Sequence, residues 1–408
     1  CLIEIGETKA DNTDYQSIDG YAIPGFQNAH SHAFQYAMAG EAESHATDKT
    51  PDDFWSWREA MYRVALEISP DEMQRVATDL YKEMVRHGYT EVAEFHYIHH
   101  DKNGKSFHNK AEMGSRLIAA AQEAGIAITL VPMFYQKGGF GHAPSDGQRR
   151  FISPTTEDYF ALWESSREAV KNYNRASLGF GFHSLRAVDQ DSMKEALGFA
   201  GAHPIHIHIS EQKREIEDCL AYYKKRPVDY LFDNFAVNDQ WHLVHATHLA
   251  DSELNAITGS GAQVVICPST EGSLGDGIFR LREFIAQKGN WSIGTDSHVG
   301  IDPKEELRLL DYGQRLISHK RNTFYSSDNG DSGSFAYHQA LLSGKKAMGN
   351  NTIGYFDDKT PFDAVILNAQ DPKFQGLEME KIMSKFIYTC DSTVHLGTML
   401  GGNWVSKV

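Results

Sequence analysis

The chain has 408 residues, 41% of them hydrophobic, and a net charge of 39 − 55 = −16. That is material for a sizeable core and for more than one domain. The acidic balance argues against nucleic acid or an anionic membrane as partner, and no run of roughly 18 or more apolar residues marks a membrane span. Cys1, Cys219, Cys267 and Cys390 lie far apart with no CxxC pair, which points to a reduced, cytoplasmic setting. The first stretch lacks the basic-then-apolar pattern of a signal peptide, and the start at Cys1 without a methionine leads to the expectation of trimming upstream.

Residues 1–22 are short polar and apolar pieces without helical period and read as small edge strands. Residues 23–28 read as a first buried strand, closed by His30 and His32. Alternate strand residues face one side, so imidazoles at i and i+2 can grip one metal ion; the alternative is two surface histidines near a turn. Over 53–87, Phe54, Trp57, Met61 and Tyr62 recur at helical spacing, and Ser69-Pro70-Asp71-Glu72 marks a second helix start that Gly88 closes. From there apolar runs alternate with helical segments. Runs at 90–97, 127–134, 178–183, 204–209, 242–247, 262–268 and 291–296 bring the strands to eight, with helices near 109–124, 156–172, 189–201, 212–225, 251–258 and 278–288. Eight such units predict a (β/α)8 barrel of parallel strands. An open doubly wound sheet is the alternative, but no GxGxxG follows the first strand. A helix is predicted from Asp302-Pro303 to Ser318, a polar loop over 325–334 and a helix over 339–348, with strand character returning from Asp363. The expected organisation is a barrel over 23–359 and a small discontinuous β domain, a sandwich, built from 1–22 and 360–408.

Polar residues gather where a barrel carries its active site. His30, His32, Tyr97, His183, His208, His245 and Asp296 each fall at or just past the C-terminal end of a strand. Catalytic zinc takes His and carboxylate ligands with one position open for water, whose pKa then falls to about 7. HSH, HIHISE and IGTDSH supply His30, His32, His208 and Asp296 as such a set, with Glu211 three residues past His208 and LVHATH adding His245. Asp296 can also accept a proton; taken alone it reads rather as a helix N-cap. His206 shares a face with His208, and either fits; His208 is preferred as nearer the rim, and His206 is read as a hydrogen-bonded core histidine. The aromatic stripe around Arg58 reads as core, and Arg58 by itself as a salt bridge to Glu59 or Glu83. Arg186 follows HSL on a rim loop, where functional residues concentrate. SLGDG at 273–277 lacks the Walker lysine and reads as a glycine turn.

HSHAFQYAMAG, DDFWSWREAMY, GYTEVAEFHYIHH, GFGHAPSDGQRRF, CPSTEGSLGDGIF and GTDSH are spread over about residues 24–300. Together they resemble the amidohydrolase superfamily in its single-metal deaminase branch, and within it the members that hydrolyse N-formimino-L-glutamate in histidine breakdown. The resemblance implies zinc on His30, His32, His208 and Asp296, with iron or manganese fitting the same donors. It implies Glu211 as proton shuttle, His245 holding or polarising the reacting group, and Gln35 on the formimino end. Arg58, Tyr97, His183 and Arg186 would bind the glutamate carboxylates. It further implies N-formyl-L-glutamate and ammonia as products, a small dicarboxylate as partner, and a homodimer. Two other readings are a related deaminase of a nucleobase or guanidine compound, and a non-catalytic barrel scaffold. The intact ligands and Glu211 argue against the scaffold.

Overall fold

The computed structural model describes residues 17–41, 54–321, 323–325, 330–356 and 360–407. Its strands are β1 (Gly20–Pro24), β2 (Phe26–Ser31), β3 (Tyr89–His96), β4 (Ala127–Phe134), β5 (Ala176–Leu178), β6 (Phe180–Ser184), β7 (Ile205–Ile209), β8 (Trp241–His245), β9 (Gln263–Ile266), β10 (Asn290–Ile293), β11 (Ala364–Asn368), β12 (His395–Leu400) and β13 (Asn403–Lys407). Between them run helices α1 (Phe54–Glu67), α2 (Pro70–Arg86), α3 (Glu112–Ala124), α4 (Thr156–Ala169), α5 (Gln190–Ala200), α6 (Lys213–Tyr223), α7 (Pro227–Asn234), α8 (Asp251–Ser260), α9 (Pro268–Leu274), α10 (Leu281–Ala286), α11 (Pro303–Ser318), α12 (Ser332–Ala347) and α13 (Ile382–Thr389).

The predicted parallel barrel is present. Its strands follow the order β10-β9-β8-β7-β6-β4-β3-β2, and every pairing is parallel. β5 pairs with β4 before Gly179 passes the chain on to β6, so β5 and β6 act as one interrupted strand. All eight residues of β4 are buried, as a strand covered on both faces requires. The barrel closes between its last and first strands through a Ser31–Asp296 bridge. The amides of Thr295 and Asp296 donate to the His30 carbonyl at 3.1 and 3.0 Å, and the His32 amide donates to the Asp296 carbonyl at 3.1 Å. The capping box at Ser69 forms as its sequence predicts: Ser69 Oγ accepts from the Glu72 amide and Glu72 Oε2 from the Ser69 amide.

The predicted single strand over 23–28 is two. The chain breaks at Gly25, where an added Cβ would sit 2.0 Å from the Thr90 side chain. β1 therefore leaves the barrel and pairs with β11. The resulting sheet is antiparallel, β1-β11-β12-β13, and draws on both chain ends. Strand alternation gives it two faces. Ala364 and Ile366 join Met399 in a small outer cluster, while Val365 and Leu367 join the main core. The layer packed on its inner side is thus the barrel itself; residues 1–16, read as edge strands, lie outside the described residues. α7 and α9 were not anticipated, and α12 begins at Ser332, inside the segment read as a polar loop.

Candidate active site

Three imidazoles converge at the C-terminal mouth of the barrel. His30 Nε2 and His32 Nε2, from the end of β2, are 3.2 Å apart; His208 Nε2, from β7, is 3.1 Å from the first and 3.3 Å from the second. Asp296 Oδ1, just past β10, lies 3.5 and 3.4 Å from His30 and His32. Two of the outer nitrogens are committed: His32 Nδ1 donates to the Phe95 carbonyl at 2.8 Å and His208 Nδ1 to the His183 carbonyl at 3.0 Å. Their Nε2 atoms therefore carry lone pairs that face one another, an arrangement that a cation satisfies. Ligands at ~2.0–2.1 Å on a tetrahedron are separated by about 3.3–3.4 Å, close to the spacings seen. Burial keeps the rings neutral, lowering His30 to about 3 and His208 well below the ordinary range. Burial works against ionisation of Asp296 too, but the His30 bond and the surrounding imidazoles outweigh it and hold that carboxyl far below its usual range. The donor set fits one divalent ion.

Buried polar bonds fix these ligands from behind. Glu94 on β3 accepts from Ser31 Oγ at 2.6 Å, the Ala33 amide at 2.7 Å and Tyr81 Oη at 3.0 Å. His298 spans Ser31 Oγ (3.3 Å) and Thr295 Oγ1 (2.9 Å), and Asn28 holds Thr295 from the other side of the seam. The backbone here is strained. Ser210, His245, Ala246, Asp296 and His298 have φ between 48° and 69°, five of the nine described non-glycine residues in the left-handed region. Such positions cost ~1–3 kcal/mol each and gather at functional sites.

A second set of buried ionisable groups adjoins the first. His245 Nε2 lies 3.7 Å from both Glu211 Oε1 and Asp296 Oδ2, and its Nδ1 lies 3.2 Å from Glu271 Oε1. Burial would lower His245, but Glu211, Glu271 and Asp296 prevail and push it up to about 10. Burial raises Glu211 to about 7 against the pull of His245 and Arg186, so its carboxyl can hold or release a proton near neutrality. Glu215 Oε1 and Oε2 accept from the amides of Ser210 and Glu211 at 3.2 and 3.1 Å. Asp276, raised to about 9 by burial first and by Glu211 next, lies with Glu211 and His245 in one group of ligand-capable atoms all within 4.8 Å of one another.

The residues named from the sequence meet in one cleft, open to solvent. Gln35, Arg58, Tyr97, His183, Arg186, Glu211 and His245 line it with His32, His208 and Asp296; fully buried His30 lies beneath. Gln35 Nε2 donates to Tyr97 Oη at 3.1 Å. Arg186 Nη1 is 3.8 Å from Glu215 Oε2, and the Arg58 guanidinium lies 5.6 Å from the Tyr62 ring centre. Glu83, weighed as a partner for Arg58, pairs instead with Arg86 at 2.7 Å. The stripe around Arg58 is not simply core. Buried Met61 and half-buried Trp57 and Tyr62 all line the cleft, because the inner face of α1 borders the open barrel mouth. His206 Nε2 bonds the Ala347 carbonyl at 3.0 Å, as expected of a core histidine. Asp296 caps no helix; α11 is capped by Asp302.

Glu94, Glu215, Glu271 and Asp276 escaped the sequence reading. Glu271 and Asp276 sit in the CPSTEGSLGDG segment, whose glycine turn masked two buried acids.

The chain matches the sequence model of the amidohydrolase family over residues 21–405. It is 43% identical over 396 residues to formimidoylglutamate deiminase of Pseudomonas aeruginosa, covering 96% of this chain and 86% of that protein. Guanine deaminase of Mus musculus is 24% identical over 410 residues, covering 94% of this chain and 83% of its own. Among solved structures, an amidohydrolase from Brucella melitensis superposes with a TM-score of 0.91 at 39% identity, over 98% of this chain and 88% of that one. With the barrel, the strand-end histidines and these likenesses together, the chain belongs to the amidohydrolase family.

Proposed function

We propose that this enzyme hydrolyses N-formimino-L-glutamate to N-formyl-L-glutamate and ammonia, a step of histidine degradation. The observation that carries the reading is that two guanidiniums, Arg58 and Arg186, line the same cleft as His32, His208 and Asp296. A dicarboxylate with an amidine at its other end needs that division: cations for the carboxylates, carboxylates and a Lewis acid for the amidine. The likeness to formimidoylglutamate deiminase supports the same assignment.

In this reading His30, His32, His208 and Asp296 would hold one divalent ion, zinc, which would supply Lewis-acid chemistry and an acidified water there. Arg58 and Arg186 grip the carboxylates bidentately, with Tyr97 and His183 adding donors. Fixing the reacting carbon in this way is worth several kcal/mol, within the ~7–11 kcal/mol ceiling for orientation. Gln35 orients the formimino group. Asp296 takes a proton from the attacking water through Oδ2, and Glu211 passes protons to the departing nitrogen, which leaves as ammonia. His245, with Nδ1 toward Glu271 and Nε2 toward Glu211 and Asp296, faces the charge that develops at the reacting centre. Water contributes the new C–O bond, the C–N bond breaks, and both water protons end on nitrogen or in solvent.

Ammonia release from formiminoglutamate, guanine, 5′-methylthioadenosine and a guanidine compound tests the reading, with metal content measured on the same sample. Release from formiminoglutamate is expected; release from a base alone would sink the assignment, and no release from a metal-loaded sample would favour a scaffold. Zinc, a homodimer and a cytoplasmic location are companion proposals, read by metal analysis, sedimentation and cell fractionation.

A further inference from the structure

Tyr135 stands just past β4 on the barrel rim, between Tyr97 and His183, and lines the cleft. It is 4% exposed, with its ring centre 4.4 Å from that of His183. Its hydroxyl oxygen receives a hydrogen bond from Gln148 Nε2 at 2.7 Å. The direction of that bond is set by the other end of the amide. Gln148 Oε1 accepts from the Ser145 amide at 2.9 Å and from Ser145 Oγ at 3.0 Å. A backbone N–H can only donate, so Oε1 must be the acceptor and Nε2 the donor. The tyrosine oxygen is therefore an acceptor toward Gln148, and its own proton is directed elsewhere. Among the described residues no acceptor for that proton is found.

Burial holds the Tyr135 hydroxyl protonated, well above its ordinary range, although Arg186 and Arg58 both act on it in the opposite direction. The cleft thus offers a fixed neutral donor beside two guanidiniums. A formimino group is cationic and donor-rich near neutral pH, so the group on such a substrate that can accept this proton is a carboxylate. Gln148 and Ser145 lie in GFGHAPSDGQRRF, a segment that carries part of the family likeness and to which no site role had been given.

We infer that Tyr135 is a further specificity-determining residue: its hydroxyl, aimed by Gln148, donates to the substrate's side-chain carboxylate alongside Arg186. The inference rests on the proposed function. Its test compares N-formimino-L-glutamate with N-formiminoglycine, which lacks the side-chain carboxylate, in wild type, Tyr135→Phe and Gln148→Glu, with metal content and Tm measured for each. Tyr135→Phe should lower kcat/KM for formiminoglutamate at least ~10-fold and for formiminoglycine less than ~2-fold, the range of one lost donor to a charged group. Gln148→Glu must accept the tyrosine proton, so it turns the donor away from the cleft. Its added charge acts whether residue 135 is Tyr or Phe. A loss larger in the Tyr135 background than in Tyr135→Phe therefore reads the proton. Equal losses on the two substrates, or no loss, in a metal-loaded folded variant would overturn the role of Tyr135 and leave the proposed function standing. A wild-type enzyme inactive on formiminoglutamate would overturn both.

Discussion

β7 and β8 each carry two histidines, and the pair at the rim behaves unlike the pair below it. His208 and His245 stack at 5.5 Å between ring centres; His206 and His242 stack at 4.8 Å. All four are buried. Below the rim, His206 bonds a helix carbonyl, and burial lowers its pKa to about 4. At the rim, His208 Nε2 faces two other imidazoles, and His245 sits between three carboxylates that raise it to about 10. Burial alone makes a histidine inert. What gives it chemistry is the convergence of lone pairs or acids on the same nitrogen. His245 owes its place partly to backbone strain: three residues after His242 on a strand it would face outward, and a φ of 69° turns it.

Substitutions at the two depths sharpen that contrast. The largest effect belongs to His208→Ala, which removes a proposed ligand; metal content should fall to background and turnover beyond the ~10⁴-fold that one acid–base group commands. Metal analysis beside ammonia release checks it, and a loaded, active variant would mean the cluster is not the metal site. Glu211→Gln should keep the metal and lose ~10²–10⁴-fold in kcat, since an amide cannot carry a proton; near-full turnover would remove Glu211 from the proton path. Arg186→Met should cost at least ~30-fold in kcat/KM for formiminoglutamate, from the ~2–5 kcal/mol of a broken buried charge pair. The loss should be much smaller on N-formiminoglycine, and equal losses would break the link to the side-chain carboxylate.

The smallest effect on turnover belongs to the lower pair. His206→Gln can keep the bond to Ala347 and should leave kcat/KM unchanged while altering the acid response of stability. The folded pKa of His206, about 4, lies below the unfolded value of 6.5, so between those limits the unfolded chain binds the extra proton. Stability from this group is therefore present above pH ~6.5 and lost as pH falls toward ~4, by up to ~1.4 kcal/mol per pH unit for one proton. Urea unfolding at pH 7, 6 and 5 should show wild type losing its advantage over His206→Gln step by step. A constant difference would mean that His206 does not titrate this way.

The barrel and most of its site were legible because β/α alternation and strand-end polar residues leave marks at fixed spacing. The HxH pair, HISE and TDSH are local and rim-placed. What was illegible depended on what faces what. Trp57 and Tyr62 recur at helical spacing whether the helix meets a packed layer or an open cleft. Glu94, Glu271 and Asp276 look like any solvated acids until burial is known. Gly25 reads as part of a strand until Thr90 is seen against it.

The barrel seam has a consequence for how the protein is made. Its closing bonds join His30 and Asp296, and Asn28 meets Thr295 across 267 positions of sequence. Three histidines can gather once β7 has been synthesised, but the carboxylate arrives with the final barrel strand, together with the bonds that shut the ring. In the proposed assignment, ligand set and ring are thus completed in one event, and no shorter nascent chain would present a finished site to scavenge ions. An ion held by the proposed ligands would span the longest loop in the barrel and draw the folded state down by its own binding free energy. Loading would then act as a clasp on the last strand, and without that ion the seam would be at its weakest.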